Sequence, residues 1–191
     1  SLPKHMTAKA AVDCSGFTET DTRNAAHVRD VRDALGRLTL GTKETDMKVS
    51  DRRKLSRTDL DLTLLGLGCS QMGNLYRVTP YQDSRDSFDA AWNAGIRYFD
   101  TAPFYGHTRS ELRLGTMIGD RARGDYVVST KVGRLMTPDA SIGTRENDFV
   151  HPLPFRPVFD YSYDGIMRSF ETSRTRLGIW SPDILFVHDI G

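Results

Sequence analysis

Short apolar runs and amphipathic segments alternate along the chain from about residue 63 onward. The apolar runs predict strands, at residues 64–68, 96–99, 126–130 and 184–187. Between them, apolar residues spaced by three or four predict helices, over residues 86–93, from residue 108 onward, and over about 164–177. The resulting order, β-α-β-α-β-loop-α-β, predicts an α/β fold with a parallel sheet.

Turn and helix-start residues add detail to this outline. Residues 53–55 and 62–64 flank a polar segment and predict a small hairpin before the first βα unit. Thr108 and Glu111 have the spacing of a capping box, in which each side chain satisfies a backbone N–H group at the start of a helix. Residues 134–159 have little helical or strand pattern, so we predict an irregular insertion there.

The intervals between the predicted strand ends are nearly constant. Gly68 to Asp100 is 32 residues and Asp100 to Lys131 is 31, while Lys131 to His188 is 57, or 31 without the 26-residue insertion. About 31 residues suit one βα unit, and eight such units make up the usual (β/α)8 barrel of about 250 residues. We therefore predict that residues 47–191 form the first four βα units, or N-terminal half, of a TIM barrel.

A doubly wound sheet is the competing architecture. The first strand-to-helix turn, residues 66–71, lacks the third glycine of a dinucleotide-binding fingerprint. This turn favours the barrel.

Residues 1–46 differ from the rest because they form a polar, alternately charged extension. A stripe of apolar residues at helical spacing predicts one helix there, at Val28, Val31, Leu35 and Leu38. This helix fits a loose extension, a docking element for a partner, or non-native sequence with Met47 as the natural start. Because the chain begins at Ser1 and stops at Gly191, directly after the last predicted strand, we expect a fragment of a longer protein.

Composition excludes several classes of function. Lys and Arg total 26 against 25 Asp and Glu, a net charge of +1, which gives no strong electrostatic case for nucleic acid or an anionic membrane. No apolar run approaches the roughly 18 residues that span a bilayer, and the first residues lack a secretory signal. Cys14 and Cys69 form no metal or redox motif. We expect a cytoplasmic protein without a nucleic-acid or membrane partner.

Four residues that can carry chemistry follow the predicted strands: Asp100, Tyr105, Lys131 and His188. In a parallel barrel the ends of successive strands meet on one face, so these side chains are expected to converge. A lysine is rarely buried without a partner or a task. Taken singly, Asp100 could cap a turn, and Tyr105 and His188 could be packing residues. The pair His188-Asp189 alone does not make a metal phosphohydrolase motif, and we expect no metal.

Together the four residues predict a proton-transfer site. An isolated tyrosine hydroxyl has a pKa of roughly 10, which is too high for an efficient base at neutral pH. A neighbouring ammonium favours the phenolate, and a carboxylate keeps that ammonium charged and in place. A histidine can orient or polarise a substrate oxygen. The predicted reaction is proton movement at a carbonyl or an alcohol, with the redox step left to a cofactor.

The sequence around these residues resembles the signature of the aldo-keto reductase family. The resemblance rests on residues 97–106 (RYFDTAPFYG), on Ser110-Glu111 and Leu114-Gly115, and on residues 128–133 (VSTKVG) and 185–188 (LFVH). More narrowly, residues 73–76, the insertion, and residues 158–162 and 188–191 resemble the L-fucose or D-threo-aldose 1-dehydrogenase branch, which is close to pyridoxal 4-dehydrogenase. The resemblance covers about residues 48–191.

The resemblance implies a TIM barrel that binds NADP or NAD without a Rossmann domain. It implies that Tyr105 is the general acid/base, that Lys131 and Asp100 tune it, and that His188 orients the substrate. Phe104 would join Tyr105 and His188 in binding substrate. The implied reaction is hydride transfer between nicotinamide and a small-molecule substrate, either an aldose that becomes a lactone or a small aldehyde or ketone. The implied cofactor contacts are Gln71, Met72, Gly73 and Asp100.

The later half of the family's barrel, which holds most of the cofactor, is not in this sequence. We therefore expect the 191-residue chain alone to be inactive or poorly folded, and NAD(P)-dependent turnover by it would contradict this. The insertion is expected to be either a substrate lid or a surface loop folded against the barrel wall. The oligomeric state is left open.

Two other functions remain as alternatives. One is a non-catalytic barrel that binds nucleotide and regulates a partner. The other is a sugar isomerase or aldolase barrel in which Lys131 forms a Schiff base.

Overall fold

The computed structural model describes residues 47–190, and the predicted helix of the extension lies outside them. The helices are α1 (Tyr81–Asn93), α2 (Arg109–Ile118) and α3 (Tyr163–Leu177). The first five strands are β1 (Arg52–Lys54), β2 (Asp61–Thr63), β3 (Leu67–Gly68), β4 (Tyr98–Asp100) and β5 (Val127–Val132). The other five are β6 (Arg134–Pro138), β7 (Arg145–Glu146), β8 (Phe149–Val150), β9 (Phe155–Phe159) and β10 (Ile184–Val187).

The predicted hairpin is confirmed. Strands β1 and β2 pair antiparallel, with Arg53 opposite Leu62. Thr63, at the end of β2, is buried and accepts a hydrogen bond from the backbone N–H of Arg97 at 3.2 Å. This bond ties the hairpin to the segment that leads into β4.

A four-stranded parallel sheet carries the rest of the fold, in the order β3-β4-β5-β10. Asp100 lies opposite Ser129 in the β4–β5 register, and Lys131 lies opposite Phe186 in the β5–β10 register. Each strand is added at the same edge in chain order, as in the wall of a barrel, whereas a doubly wound sheet reverses its order at a switch point. The predicted parallel α/β arrangement is therefore confirmed.

Helices α1 and α2 bury apolar residues in the core, whereas the buried positions of α3 are mostly small: Gly165, Ser169, Ser173 and Leu177. Phe88 of α1 lies 4.9 Å from Phe99 of β4, measured between ring centroids, and both side chains are fully buried. The buried positions of α1 are Ser84, Phe88 and Ala91, at helical spacing. Helix α1 begins at Tyr81, directly after Pro80, and not at the predicted residue 86. The prediction missed this start because the first turn of the helix is largely polar. Helix α3 ends as predicted at Gly178, which has φ of 65°.

The predicted capping box at α2 is wrong, although the helix does begin there. Thr108 has φ of 85° and its side chain makes no capping hydrogen bond. Glu111 is fully buried and accepts hydrogen bonds from Thr130 Oγ1 and from Arg176 Nε, both at 2.6 Å. The glutamate turns inward to the Arg176 guanidinium and the Thr130 hydroxyl. The Thr108 N–H that a capping box would use donates instead to the Pro103 carbonyl at 2.7 Å.

The insertion is also different from the prediction, because residues 134–159 contain four strands. Strand β6 pairs antiparallel with β9, and β7 with β8. The β7–β8 turn is formed by Asn147 and Asp148, whose φ values of 51° and 66° are those of a tight two-residue hairpin. Four prolines in this segment obscured the strand pattern, and β6 and β9 are separated by two other strands in the sequence. We call residues 134–159 the arm.

Strands β3 and β10 form the two edges of the parallel sheet, and each pairs on one side only within residues 47–190. On β10 the side chains of Leu185, Phe186 and Val187 are exposed by 42 to 45%. Edge strands of this kind promote association. The helices of the described segment are all too short or too polar to cross a membrane.

Candidate active site

Strand alternation separates two sets of side chains on β4 and β5. Successive side chains of a strand point to opposite faces. Tyr98 and Asp100 of β4 share one face with Ser129 and Lys131 of β5, and these side chains contact one another. The residues that alternate with them along the two strands point to the helix side and are fully buried: Phe99, Val128 and Thr130.

Lys131 and Asp100 form an ion pair on that face. Lys131 Nζ lies 2.8 Å from Asp100 Oδ2 and 3.0 Å from Oδ1, and it donates a third hydrogen bond to the carbonyl of Thr101 at 3.0 Å. Burial acts to lower the pKa of Lys131, but attraction to the Asp100 carboxylate outweighs it, and the pKa is raised. The lysine is therefore a charged ammonium whose partner is Asp100.

Asp100 is held from a second side by residues that the sequence analysis missed. Ser129 Oγ donates to Asp100 Oδ1 at 2.6 Å. Because the single hydroxyl proton of Ser129 is used there, Tyr98 must donate in the 3.0 Å hydrogen bond between Tyr98 Oη and Ser129 Oγ. Both residues precede a predicted site residue by two positions, so strand alternation was the signal that could have found them.

Tyr105 reaches the site because its loop crosses the loop after β3 at two glycines. Gly106 has φ of 64°, and a Cβ at Gly73 would lie 2.6 Å from the backbone nitrogen of Gly106. No larger residue fits this crossing. Lys131 Nζ lies 5.0 Å from the centroid of the Tyr105 ring.

His188 completes the group. Its backbone N–H donates to the carbonyl of Val132 at 2.9 Å, which fixes the residue just past the end of β10. Its ring lies edge-on to Tyr105, with 5.9 Å between centroids and 89° between planes, and edge-on to Phe104 at 5.8 Å and 76°. Residues from β4, the loop after β4, β5 and the end of β10 thus meet at one place, as the sequence predicted.

Burial, and next the charge of Arg134, lower the pKa of His188 to about 4. The imidazole is therefore neutral at pH 7. A neutral imidazole can donate a hydrogen bond to a substrate oxygen without adding charge.

This pKa predicts how stability depends on pH. Between pH 6.5 and about 4 the unfolded chain binds a proton on His188 and the folded chain does not, so stability falls as the pH decreases through this range. Above pH 6.5 both states are neutral and the contribution vanishes. The loss at pH 5 is on the order of 2 kcal/mol.

The measurement is denaturant unfolding at pH 7 and pH 5. We expect His188→Gln to lose less stability than the parent between these values. His107, whose pKa is also lowered by burial, contributes equally to both proteins. The same loss in parent and variant would contradict the prediction.

The arm lies directly against the site. Phe149 is 2% exposed, and its ring centroid is 5.4 Å from that of Phe104 and 6.4 Å from that of Tyr105. Asn74 and Val150 exchange two hydrogen bonds, from Asn74 Nδ2 to the Val150 carbonyl at 2.9 Å and from the Val150 N–H to the Asn74 carbonyl at 3.0 Å. The β7–β8 hairpin is thus fixed to the loop after β3, which favours a docked wall over a mobile lid.

The three residues predicted to line the cofactor follow β3 in a 3-10 turn, Ser70–Gly73. Gln71 Oε1 is buried and has no hydrogen-bond partner within residues 47–190. The Met72 side chain lies in the hydrophobic core, and its carbonyl accepts from Arg113 at 2.8 Å. Gly73 contacts Gly106 through its backbone. The Oε1 atom of Gln71 is therefore the side-chain acceptor of this turn that is left without a hydrogen bond within residues 47–190.

The sequence has known relatives. The aldo/keto reductase family matches residues 64–191. Pyridoxal 4-dehydrogenase of Microbacterium luteolum is 46% identical over 154 residues, which cover 76% of this chain and 45% of that protein. D-threo-aldose 1-dehydrogenase of a Pseudomonas species is 41% identical over 135 residues, which cover 68% of this chain and 41% of that protein. The chain spans less than half the length of these relatives.

Solved structures resemble the fold. An aldo-keto reductase from Pseudomonas aeruginosa aligns with a TM-score of 0.58 at 30% identity, over 78% of this chain and 51% of that one. The holo form of an aldo-keto reductase from Bacillus halodurans aligns with a TM-score of 0.54 at 27% identity, over 73% and 39%. Since the family match covers more than half of the sequence and the sheet has the strand order of a barrel wall, the chain belongs to the aldo/keto reductase family and forms part of its TIM barrel.

Proposed function

We propose that this chain supplies the proton-transfer site of an NAD- or NADP-dependent oxidoreductase that oxidises an aldose to its lactone. The observation that carries the proposal is the arrangement around Tyr105. Its phenol ring lies beside the Lys131 ammonium, which is ion-paired with Asp100, and faces the edge of a neutral His188. This combination is suited to moving a proton at a hydroxyl group and offers no activated nucleophile.

In the oxidation direction, the Tyr105 oxygen takes the proton from the substrate hydroxyl. The ammonium of Lys131 stabilises the phenolate that performs this step, and Asp100 keeps the ammonium charged and aimed. His188 hydrogen-bonds the substrate oxygen and orients it toward Tyr105. The chemistry that a bound NAD or NADP would supply is acceptance of the hydride from the carbon that carries this oxygen.

The residues after β3 suit a nicotinamide cofactor. The buried, unpaired Gln71 Oε1 can accept a hydrogen bond from a ligand amide, and leaving such an atom unsatisfied costs free energy. Gln71 and Asp100 are therefore the contacts that we propose for the cofactor, with Gly73 approaching through its backbone. Met72 is the weakest of the four expected contacts because its side chain is in the core.

The walls of the site bear on the substrate class. The half-buried Phe104 presents apolar surface beside the proposed acid/base, and it is backed by the ring of Phe149, which lies at 86° to it and is itself buried. Such surface accepts the apolar face of a sugar ring. It equally accepts a flat aromatic ring, so a pyridoxal-type aromatic aldehyde is the second candidate, supported by the relative with 46% identity.

The test is hydride transfer in a chimera. The aligned segment of the Microbacterium luteolum pyridoxal 4-dehydrogenase is replaced by that of this chain, so that the relative supplies the rest of the barrel. Absorbance at 340 nm is followed with NAD or NADP and with L-fucose, other aldoses or pyridoxal. We expect cofactor reduction with at least one aldose. Reduction with pyridoxal alone would select the second candidate.

Two outcomes would select a different class of function. A folded chimera that binds NAD(P) and reduces none of it would favour the non-catalytic, regulatory barrel. A borohydride-trapped adduct on Lys131 would favour an aldolase or isomerase. The structure argues against the adduct, because all three donors of the Lys131 ammonium are engaged by Asp100 and Thr101.

A further inference from the structure

The arm contacts the His188-Asp189 turn as well as Phe104. Arg134, the first residue of β6, has a side chain that is only 9% exposed and forms an ion pair with Asp189. Its guanidinium carbon lies 4.1 Å from the centroid of the Phe104 ring and 4.6 Å from that of Phe159. The cation is thus held between two aromatic rings, one of which packs edge-on against His188.

The same turn is held through its backbone by Tyr161. The Tyr161 hydroxyl donates to the carbonyl of His188 at 2.7 Å and contacts that of Asp189 at 3.3 Å. Gly133, with φ of 94°, allows the Tyr161 ring to lie where a Cβ would otherwise be. Arg134, at the start of the arm, and Tyr161, two residues past its end, therefore both hold the turn that carries His188.

The electrostatic consequence follows from the position of Asp189. Its Oδ2 lies 4.0 Å from His188 Nε2, close enough to stabilise an imidazolium if the carboxylate were free. The Arg134 guanidinium engages this carboxylate and adds a positive charge of its own beside the ring. The other charged groups that face His188 are Lys131 of β5 and Asp100 of β4, which are paired with each other.

We propose that Arg134 is a positioning residue for His188: by engaging Asp189 and stacking on Phe104, it holds the imidazole edge-on to Tyr105 and keeps it uncharged. The catalytic meaning of this role rests on the proposed function. An imidazole that became charged near neutral pH would compete with Tyr105 as the acid and would repel the Lys131 ammonium. Arg134 thus leaves proton transfer to Tyr105 and keeps His188 as a neutral hydrogen-bonding group.

The test is an NMR titration of the imidazole Cε1–H signals in the chimera, with the His188 signal assigned by its loss in His188→Gln. In Arg134→Gln we expect the His188 pKa to rise by about one to two units, and in Arg134→Lys, which keeps the charge, to rise much less. The matched control is Arg174→Gln. Arg174 also stacks on two aromatic rings, those of Phe170 and Trp180, but is not among the charges that face His188.

An unchanged His188 pKa in folded Arg134→Gln would overturn the proposal, and so would an equal rise in Arg174→Gln. If Arg134→Gln does not fold, Asp189→Asn tests the proposal instead. Asp189 is 60% exposed, so its replacement should not disturb the fold, and it leaves the positive charge of Arg134 without its carboxylate partner. The His188 pKa is then expected to fall below that of the parent, and an unchanged or raised value would overturn the proposal.

The titration needs no turnover, so its outcome is separate from that of the proposed function. In the chimera, Arg134→Gln is expected to move the acid limb of the kcat/KM profile to higher pH, whereas Arg174→Gln leaves the limb in place. A chimera without any hydride transfer would defeat the proposed function and leave the result of the titration standing.

Discussion

Replacing Tyr105 by phenylalanine is expected to lower kcat/KM of the chimera by a factor of about 10² to 10⁴. The phenylalanine ring keeps the contacts with Phe149 and His188, so the loss should come from the missing hydroxyl and not from packing. Circular dichroism and the cofactor Kd are therefore expected to stay at the parent values. The measurement is steady-state oxidation of the substrate that the unmodified chimera prefers.

The matched control is Tyr98→Phe. This variant also removes a tyrosine hydroxyl from the Asp100 network, because Tyr98 donates to Ser129, which donates to Asp100. The Tyr98 hydroxyl is separated from the Asp100 carboxylate by two hydrogen bonds, so Tyr98→Phe is expected to lower kcat/KM by about tenfold or less. If Tyr98→Phe reduced activity as much as Tyr105→Phe, Tyr105 would not be the proton-transfer group.

Replacing Glu111 by alanine is expected to lower the free energy of unfolding of the chimera by about 3 to 5 kcal/mol. Glu111 is fully buried and joins three elements, since it lies on α2 and accepts hydrogen bonds from Thr130 of β5 and Arg176 of α3. Its removal leaves the Arg176 guanidinium, 15% exposed, without its partner. Denaturant unfolding followed by far-UV circular dichroism measures the change.

Two further variants separate the ion pair from a general effect of substitution. In Glu111→Met/Arg176→Met both charges are gone, so the double variant is expected to be more stable than Glu111→Ala. Asp59→Ala removes the acidic partner of the exposed Lys54–Asp59 pair and is expected to have no measurable effect. Equal destabilisation by Glu111→Ala and Asp59→Ala would contradict the structural role of the buried pair.

The parallel sheet and its helices were predictable because each signal lies within one short segment. The strand over residues 184–187 and the end of α3 at Leu177 match the prediction, since a continuous apolar run and an αL glycine are signals that depend on few neighbours. The start of α1 was missed by five residues because its first turn carries no apolar stripe. The capping box failed because the partners of Glu111 lie on other elements.

The arm shows where local pattern stops being informative. Arg134 and Phe159 are neighbours in the β6–β9 register although 25 residues separate them in the sequence. Phe149 packs on Phe104, and Asn74 bonds to Val150 across 76 residues. No periodicity within a segment encodes such pairings, because they depend on how the loop after β3 and the arm meet.

The sequence by itself determined the strand order and the positions of Asp100, Tyr105, Lys131 and His188 at the ends of strands or just past them. Their convergence followed from that order, because parallel strands end at one edge. The tertiary structure alone decided that Ser129 and Tyr98 support Asp100, that Phe149 walls the site, and that Arg134 engages Asp189 beside His188. These contacts join side chains from different elements, and their energies arise from burial and charge pairing that exist only once the elements have packed together.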